Sequence, residues 1–101
     1  MSVATRITNN NSTLVISITG KFDFDLRNEF RQTYNNDAAK SLAVIVELNS
    51  TQTIDSSALG MLLNMQRSLN KADGEISIIN CNPEILKIFQ ITHLDQKFSI
   101  K

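Results

Sequence analysis

Two adjacent serines that directly follow an aspartate, Asp55-Ser56-Ser57, carry the most suggestive chemistry in this chain. Apolar residues then recur at helical spacing, so Asp55 is predicted to be the N-cap of a helix, with Ile54 and Leu59 as a hydrophobic staple. The serines would occupy the first two helical positions, where free backbone N–H groups and the helix dipole favour a negative group. The position is compatible with a phosphorylation site, but serines also occur at helix starts simply because they cap well, and the spacing alone favours that structural explanation.

The segments on either side of the serines must place them at the edge of a sheet. Residues 42–48 form the most hydrophobic and β-branched segment, which is typical of a central strand. The polar residues 49–53 put the serines beyond the carboxyl end of that strand, where open α/β sheets carry functional sites. The predicted order is β-β-α-β-α-β-α-β, with strands over 3–9, 13–19, 42–48, 75–80 and 97–100 and helices that begin near Asp25, Ser56 and Pro83.

The first helix is predicted from Leu26, Phe30 and Tyr34, which recur every four residues with polar residues between them. Asp25 is its predicted N-cap. After the last helix, His93 is predicted to be a turn residue and not a ligand or base.

The helix that begins at Ser56 is predicted to continue to about Ala72 and to pack one face on the sheet. Met61 lies outside that face, beside the serines, and methionine adapts to partner surfaces, so we predict that it belongs to a docking surface. Leu59 and Leu63 widen the apolar arc on the other flank, where neighbouring helices could cover them. The residues predicted to hold this helix on the central strand are Val44, Ile45, Leu62 and Leu69.

Length and composition limit the classes of function. With 101 residues and 42% hydrophobic side chains, the chain fits one domain over residues 1–101. Its 10 basic and 10 acidic residues cancel and form no basic run, so nucleic-acid binding is not expected. No apolar run approaches the ~20 residues of a spanning helix, and no signal peptide is recognisable, so we expect a cytoplasmic protein without membrane insertion.

A search for catalytic groups finds no complete set. One histidine and one cysteine cannot form a zinc cluster, and three glycines cannot build a phosphate-binding loop. Asp23, Asp25 and Asp55 could bind magnesium, but turn and cap roles account for them. We therefore expect no enzymatic activity, no metal and no cofactor.

Three segments of the chain resemble the STAS domain, the family of bacterial anti-sigma factor antagonists. The string Asp55-Ser56-Ser57-Ala58-Leu59-Gly60 resembles the family signature, Gly20-Lys21-Phe22-Asp23 resembles the turn after its second strand, and Ile88 to Leu94 resembles its last helix. Ala58 and His93 stand where the family often has glycine. The resemblance implies an α/β fold: a STAS-like single domain with a mixed β-sheet and helices packed mainly on one face.

The resemblance also implies a function. In the family the first serine after the aspartate is phosphorylated by a partner kinase, which maps the role onto Ser56 and not Ser57. The chain would then be a partner-switching regulator that binds an anti-sigma factor or serine kinase of the histidine-kinase-like ATPase fold, and a PP2C-type phosphatase would reset it. Partner binding is expected at Asp23, Asp55, Ser56, Ser57 and Met61.

A second function remains open, because STAS proteins also serve as constitutive subunits of ABC-type lipid transport complexes without phosphorylation. The serine pattern favours the switch.

Overall fold

Five strands form one mixed sheet in the computed structural model, which describes residues 2–101. The strands are β1 (Ser2–Thr8), β2 (Thr13–Phe22), β3 (Ala43–Ile54), β4 (Ile76–Ile79) and β5 (Ser99–Ile100). They lie side by side in chain order. The β1–β2 pair is antiparallel and the other three pairs are parallel. The predicted order of strands is confirmed, and the hydrophobic segment predicted to be central is the middle strand, β3. Between β2 and β3 the chain forms a second short helix, Asp37–Lys40, where a linker was expected, because the Asn36 side chain caps it.

Helices connect each pair of parallel strands. They are α1 (Arg27–Gln32), α2 (Asp37–Lys40), α3 (Ser56–Ser68) and α4 (Pro83–Ile91), with short 3₁₀ turns at Phe24–Leu26 and Leu94–Gln96. Parallel strands that follow one another in the sheet need crossovers of the same hand, which puts the connecting helices on the same face. The mixed sheet with helices on one face agrees with the predicted fold class.

The hydrophobic core lies between this face of the sheet and the helices. Alternate residues of β2, β3 and β4 point into it, among them Ile16, Val46 and Ile78, and none of these is more than 1% exposed. Of the predicted core residues, Val44, Leu62 and Leu69 are buried. Ile45 is only half-buried because it points to the opposite face of β3, so its placement in the core was wrong.

The face of the sheet opposite the helices, here called the open face, carries a polar network. Arg6 and Glu47 form an ion pair of 3.2 Å between Nη2 and Oε2, and the Ser17 hydroxyl donates to Glu47 Oε1 at 2.9 Å. The hydrogen bonds from Arg6 and Ser17 lower the pKa of the Glu47 carboxyl. This network therefore connects β1, β2 and β3 through side chains on the open face.

The pairing of β2 with β3 contains two irregularities near its carboxyl end. Residues from Ser17 to Phe22 on β2 face the longer stretch from Glu47 to Ile54 on β3. Beside the first irregularity, the buried Thr51 hydroxyl donates to the Ile18 carbonyl at 2.7 Å and so satisfies a backbone group. Residues 49–53, predicted to be a loop, thus continue the strand as far as Ile54.

The helix α3 ends earlier than predicted, at Ser68 instead of Ala72. Asn70 has a φ of 55°, and its N–H donates to the Arg67 carbonyl at 3.1 Å while Lys71 N–H donates to Gln66 O at 3.1 Å. This is a Schellman ending, in which a left-handed residue closes the helix. Asparagine adopts this left-handed conformation more readily than most residues. The predicted helix was too long because it followed the apolar periodicity and did not take Asn70 into account.

Candidate functional site

The serine pair lies at the start of α3, as predicted. Asp55 has an extended backbone, and its Oδ1 accepts from the Ala58 N–H at 2.9 Å, which confirms it as the N-cap. Ser56 is exposed, and Ser57 is half-buried. The Ser56 hydroxyl therefore stands at the first helical position with access to solvent.

Asp23 lies at the same edge of the sheet as Asp55. Phe22 pairs with Ile54 at the ends of β2 and β3, so the two aspartates follow neighbouring strand ends. The Asp55 N–H also donates to the Phe22 carbonyl at 3.3 Å. The two aspartates therefore lie at neighbouring strand ends, and Asp55 directly precedes Ser56.

Asp23, and not Asp25, is the cap at the start of the first helical segment. Its Oδ1 accepts from the Asp25 N–H at 3.0 Å and so begins the 3₁₀ turn Phe24–Leu26. The helix α1 continues from this turn with Leu26 at its N-cap position and no side-chain cap. The prediction that Asp25 caps this helix was wrong, because the chain becomes helical two residues earlier, in 3₁₀ form.

A groove between α1 and α3, here called the α1–α3 groove, opens beside the serines. It has a volume of about 410 Å³, and the residues that line it include Phe24, Arg27 and Arg31 from one wall and Ser57, Gly60 and Met61 from the other. Met61 is half-buried and packs against the core, so it is less prominent than a freely protruding side chain. The groove brings Met61 and Ser57 together, whereas Ser56 lies outside its lining.

Phe24 is the residue of this region that sequence reasoning missed. Its side chain is 54% exposed, which is unusual for phenylalanine in a chain with a well-filled core. The Arg27 guanidinium stacks on its ring at 4.0 Å from the centroid, and Arg27 Nη1 donates to the Phe24 carbonyl at 3.1 Å. The available signal was that Phe24 falls outside the apolar stripe of the first helix.

Aromatic side chains form the floor of the groove. The rings of Phe22 and Phe30 are 5.2 Å apart and those of Phe30 and Tyr34 are 5.8 Å apart, in tilted and edge-on arrangements. The Asn64 amide of α3 donates to the Tyr34 hydroxyl at 3.3 Å and joins the two walls. Aromatic packing and this hydrogen bond therefore connect the two walls of the groove.

Within residues 2–101, histidine, cysteine, aspartate and glutamate side chains do not gather in groups of three that could hold a metal ion. None of the helices in this part of the chain has both the length and the apolar composition needed to cross a bilayer. The cysteine, Cys81, is half-buried, and burial raises the pKa of its thiol.

The fold is similar to that of solved structures of anti-sigma factor antagonists. A putative antagonist from Thermotoga maritima aligns with a TM-score of 0.79 at 15% identity, covering 97% of this chain and 84% of its own. The unphosphorylated SpoIIAA antagonist aligns with a TM-score of 0.68 at 20% identity, covering 89% and 83%. Phosphorylated SpoIIAA from Bacillus gives 0.71 at 19% identity, covering 99% and 91%.

The chain belongs to the STAS domain family, whose model matches residues 3–101. A STAS-domain-containing protein from Pseudomonas aeruginosa (strain UCBPP-PA14) is 39% identical over 87 residues, which are 86% of each chain. The resemblance that the sequence motifs indicated is confirmed.

Proposed function

We propose that this chain, acting as one domain over residues 1–101, is a partner-switching regulator of the anti-sigma factor antagonist type. It binds its partner when Ser56 is unphosphorylated and releases it when Ser56 is phosphorylated. The observation that carries the proposal is the exposed Ser56 at the first position of α3, beside the aspartates of two neighbouring strand ends.

The free protein should tolerate the phosphate. A phosphoserine carries about −1.5 to −2 charges at pH 7, and the start of a helix is the place where backbone N–H groups and the helix dipole favour such a charge. Ser56 is exposed, so the added group stays in water. Phosphorylation of Ser56 is therefore not expected to change the fold of the free protein.

The complex should not tolerate the phosphate. A partner that covers Ser56 must also come close to Asp55 and Asp23, so the phosphate would be pressed between existing carboxylates and a desolvated surface. An uncompensated charge buried in this way costs on the order of 3–5 kcal/mol, which weakens binding roughly a hundredfold or more.

The docking surface that we propose consists of Asp23, Asp55, Ser56, Ser57 and Met61. Met61 contributes the apolar part: it lines the groove next to Ser57 and retains surface that a partner can cover. A Met61→Glu variant that keeps its circular dichroism spectrum should bind the partner more weakly. Unchanged affinity would remove Met61 from the docking surface.

The proposed partner is an anti-sigma factor or serine kinase of the histidine-kinase-like ATPase fold, with a PP2C-type phosphatase that removes the phosphate. The likeness in fold to anti-sigma factor antagonists supports this choice. The chain would itself have no catalytic activity and would act in the cytoplasm.

Two measurements test the proposal together. Mass spectrometry of the protein from its native host should find phosphate on Ser56 and not on Ser57. Titration of the partner should give tight binding for Ser56→Ala and about a hundredfold weaker binding for Ser56→Asp, while Ser57→Ala remains a kinase substrate.

Equal affinity of Ser56→Ala and Ser56→Asp would refute the switch. If such a protein also co-purified with an ABC-type ATPase and its permease, the function would be that of a constitutive transport subunit.

A further inference from the structure

The α1–α3 groove has a charge of one sign. Its charged lining residues are Arg27 and Arg31, and no aspartate or glutamate lines it. Within residues 2–101 the ion pairs lie elsewhere, on the open face and near the C-terminal strand. Both groove arginines are therefore free of carboxylate partners, and both are exposed.

Two carboxylates lie at the neighbouring strand ends, where Asp23 directly precedes Phe24 and Asp55 directly precedes Ser56. The two regions meet at the serine pair, because Ser57 lines the groove and Ser56 does not. The acidic groups thus lie at the strand ends and the guanidinium groups along the groove. A partner that covers both must present complementary charges in a fixed orientation.

The groove also offers apolar surface. Phe24 is 54% exposed and is held in place by the stacked Arg27, and Met61 faces it from α3 across the groove. A volume of about 410 Å³ holds a few side chains. The site can therefore take an apolar side chain between Phe24 and Met61 while the arginines bind carboxylates.

Gly60 adds an independent observation. It lies within α3, where glycine makes the helix less stable than alanine would, and it lines the groove. A Cβ built at this position meets nothing within 4 Å, so packing inside this chain does not require glycine. The fold leaves open space at a point where a bound partner would come close to the helix backbone.

We propose that the α1–α3 groove binds an acidic, amphipathic segment of the partner. Its carboxylates pair with Arg27 and Arg31, and an apolar side chain enters between Phe24 and Met61. The inference rests on the proposed function in that the partner is the one released by phosphorylation. An acidic segment beside Ser57 lies close to Ser56, so a phosphate there repels it.

The test uses the full chain labelled with ¹⁵N and two 12-residue probe peptides. One peptide has leucine at every third or fourth position and glutamate between, and its counterpart has lysine in place of each glutamate. The acidic peptide should shift the amide signals of residues 27–34 and 57–64 and bind at least about tenfold more tightly than the lysine peptide, since charge-assisted bonds are lost with the wrong sign. Equal binding of the two, shifts confined to other surfaces, or no binding up to millimolar peptide overturns the proposal.

Matched variants locate the effect. Arg27→Glu/Arg31→Glu should abolish the preference for the acidic peptide, and Arg31→Glu, which preserves the stack of Arg27 on Phe24, should reduce it at least threefold. Lys87→Glu in α4 makes the same charge reversal at an exposed residue outside the groove and should leave the preference unchanged. If Lys87→Glu has the effect of the double variant, only net charge is being measured and the groove is not the site.

Gly60→Ala supplies a variant whose loss of binding cannot come from unfolding. It should raise the melting temperature, because alanine favours the helix, and weaken the acidic peptide at least threefold, because a methyl group enters the groove. Unchanged affinity overturns the docking of a segment at this wall. Displacement of the peptide by an equal concentration of inorganic phosphate would overturn the proposal in favour of a small-anion site.

The two proposals can fail separately. If the charge preference holds but Ser56 carries no phosphate in the host, the groove stands and the switch is wrong. If Ser56→Ala and Ser56→Asp differ in partner affinity but the two peptides bind equally, the switch stands and the acidic segment is wrong.

Discussion

The starts of α3 and α4 have the same local construction but different surroundings. Asp55 Oδ1 accepts from Ala58 N–H at 2.9 Å, and Asn82 Oδ1 accepts from Ile85 N–H at 2.8 Å, so each cap bonds the residue three positions on. Both helices follow parallel strands, and therefore both starts lie at the same edge of the sheet.

The two helix starts differ in the contacts and the exposure of their other polar groups. The Asn82 amide donates to the Gln52 carbonyl at 3.1 Å and thereby ties α4 to the end of β3. Its first helical residue is Pro83, which has neither a hydroxyl nor an N–H. The start of α3 instead exposes Ser56 next to the α1–α3 groove. A capped helix start alone therefore does not indicate a functional site. The start of α3 is a candidate site because an exposed hydroxyl lies beside a groove.

The largest expected effect tests whether α3 is held firmly by the sheet. Leu62 is fully buried, so Leu62→Ala should lower the free energy of unfolding by about 2–5 kcal/mol in urea denaturation. Ile91 of α4 is 66% exposed and serves as the control, since Ile91→Ala should change little. A loss below about 1 kcal/mol for Leu62→Ala would contradict the packing of α3 that the comparison assumes.

The second effect concerns the structural start. Asn82→Ala removes a cap and the link to β3, so it should cost about 1–3 kcal/mol of stability. Asn82→Ser restores a cap acceptor without the amide and should recover only part of the loss. Full recovery in thermal denaturation would mean that the link to Gln52 contributes nothing.

The third effect concerns the cap of the candidate site. Asp55→Ala should cost about 0.5–2 kcal/mol, less than Asn82→Ala, because the Asp55 side chain bonds only the first turn of its own helix. Asp55→Asn keeps the acceptor and should stay within about 0.5 kcal/mol of the original protein. Comparable losses for Asp55→Ala and Asn82→Ala would remove the distinction between a free and an anchored helix start.

The smallest effect is the most informative about the switch. Ser56→Asp adds a negative charge at the first position of α3 and should leave stability unchanged or raise it by about 0.3–1 kcal/mol at low salt. The stability gain should fade as salt is added, because the charge is exposed. Destabilisation by more than about 1 kcal/mol would mean that the fold responds to the charge, against the proposed mechanism.

Local patterns predicted much of this molecule because the physics behind them is local. The capping of α3 by Asp55 follows from one side chain and the turn that it serves. His93, predicted to be a turn residue, has a φ of 61°, in the left-handed region that favours glycine, and this agrees with the glycine that the resemblance implied for the position. The central position of β3 followed from its hydrophobic run.

The remaining features depend on contacts between distant residues. Phe24 and Gly60 belong to different elements, and only the packing of α1 against α3 makes them two walls of one groove. The half-buried Ile45 could not be assigned to a face from the uninterrupted apolar run of residues 42–46, and the only contrary signal was Glu47, which lies on the same face two residues further on. The polar residues 49–53 continue β3 because β2 supplies a partner strand for their backbone, which composition does not reveal.

Because of the two irregularities between β2 and β3, the number of residues in β3 determines where Asp55 lies relative to Asp23. From the Ser17–Glu47 pair to the Phe22–Ile54 pair, β3 uses two more residues than β2, and this excess brings Asp55 level with Asp23. Loss of one codon within 49–53 would draw Asp55 back by about 3.3 Å and turn it to the other side of the strand. Asn49, Ser50, Gln52 and Thr53 are exposed, so many side chains should be acceptable there. The residue types at these four positions should therefore vary among relatives, whereas the buried Thr51 and the number of residues in the segment should not.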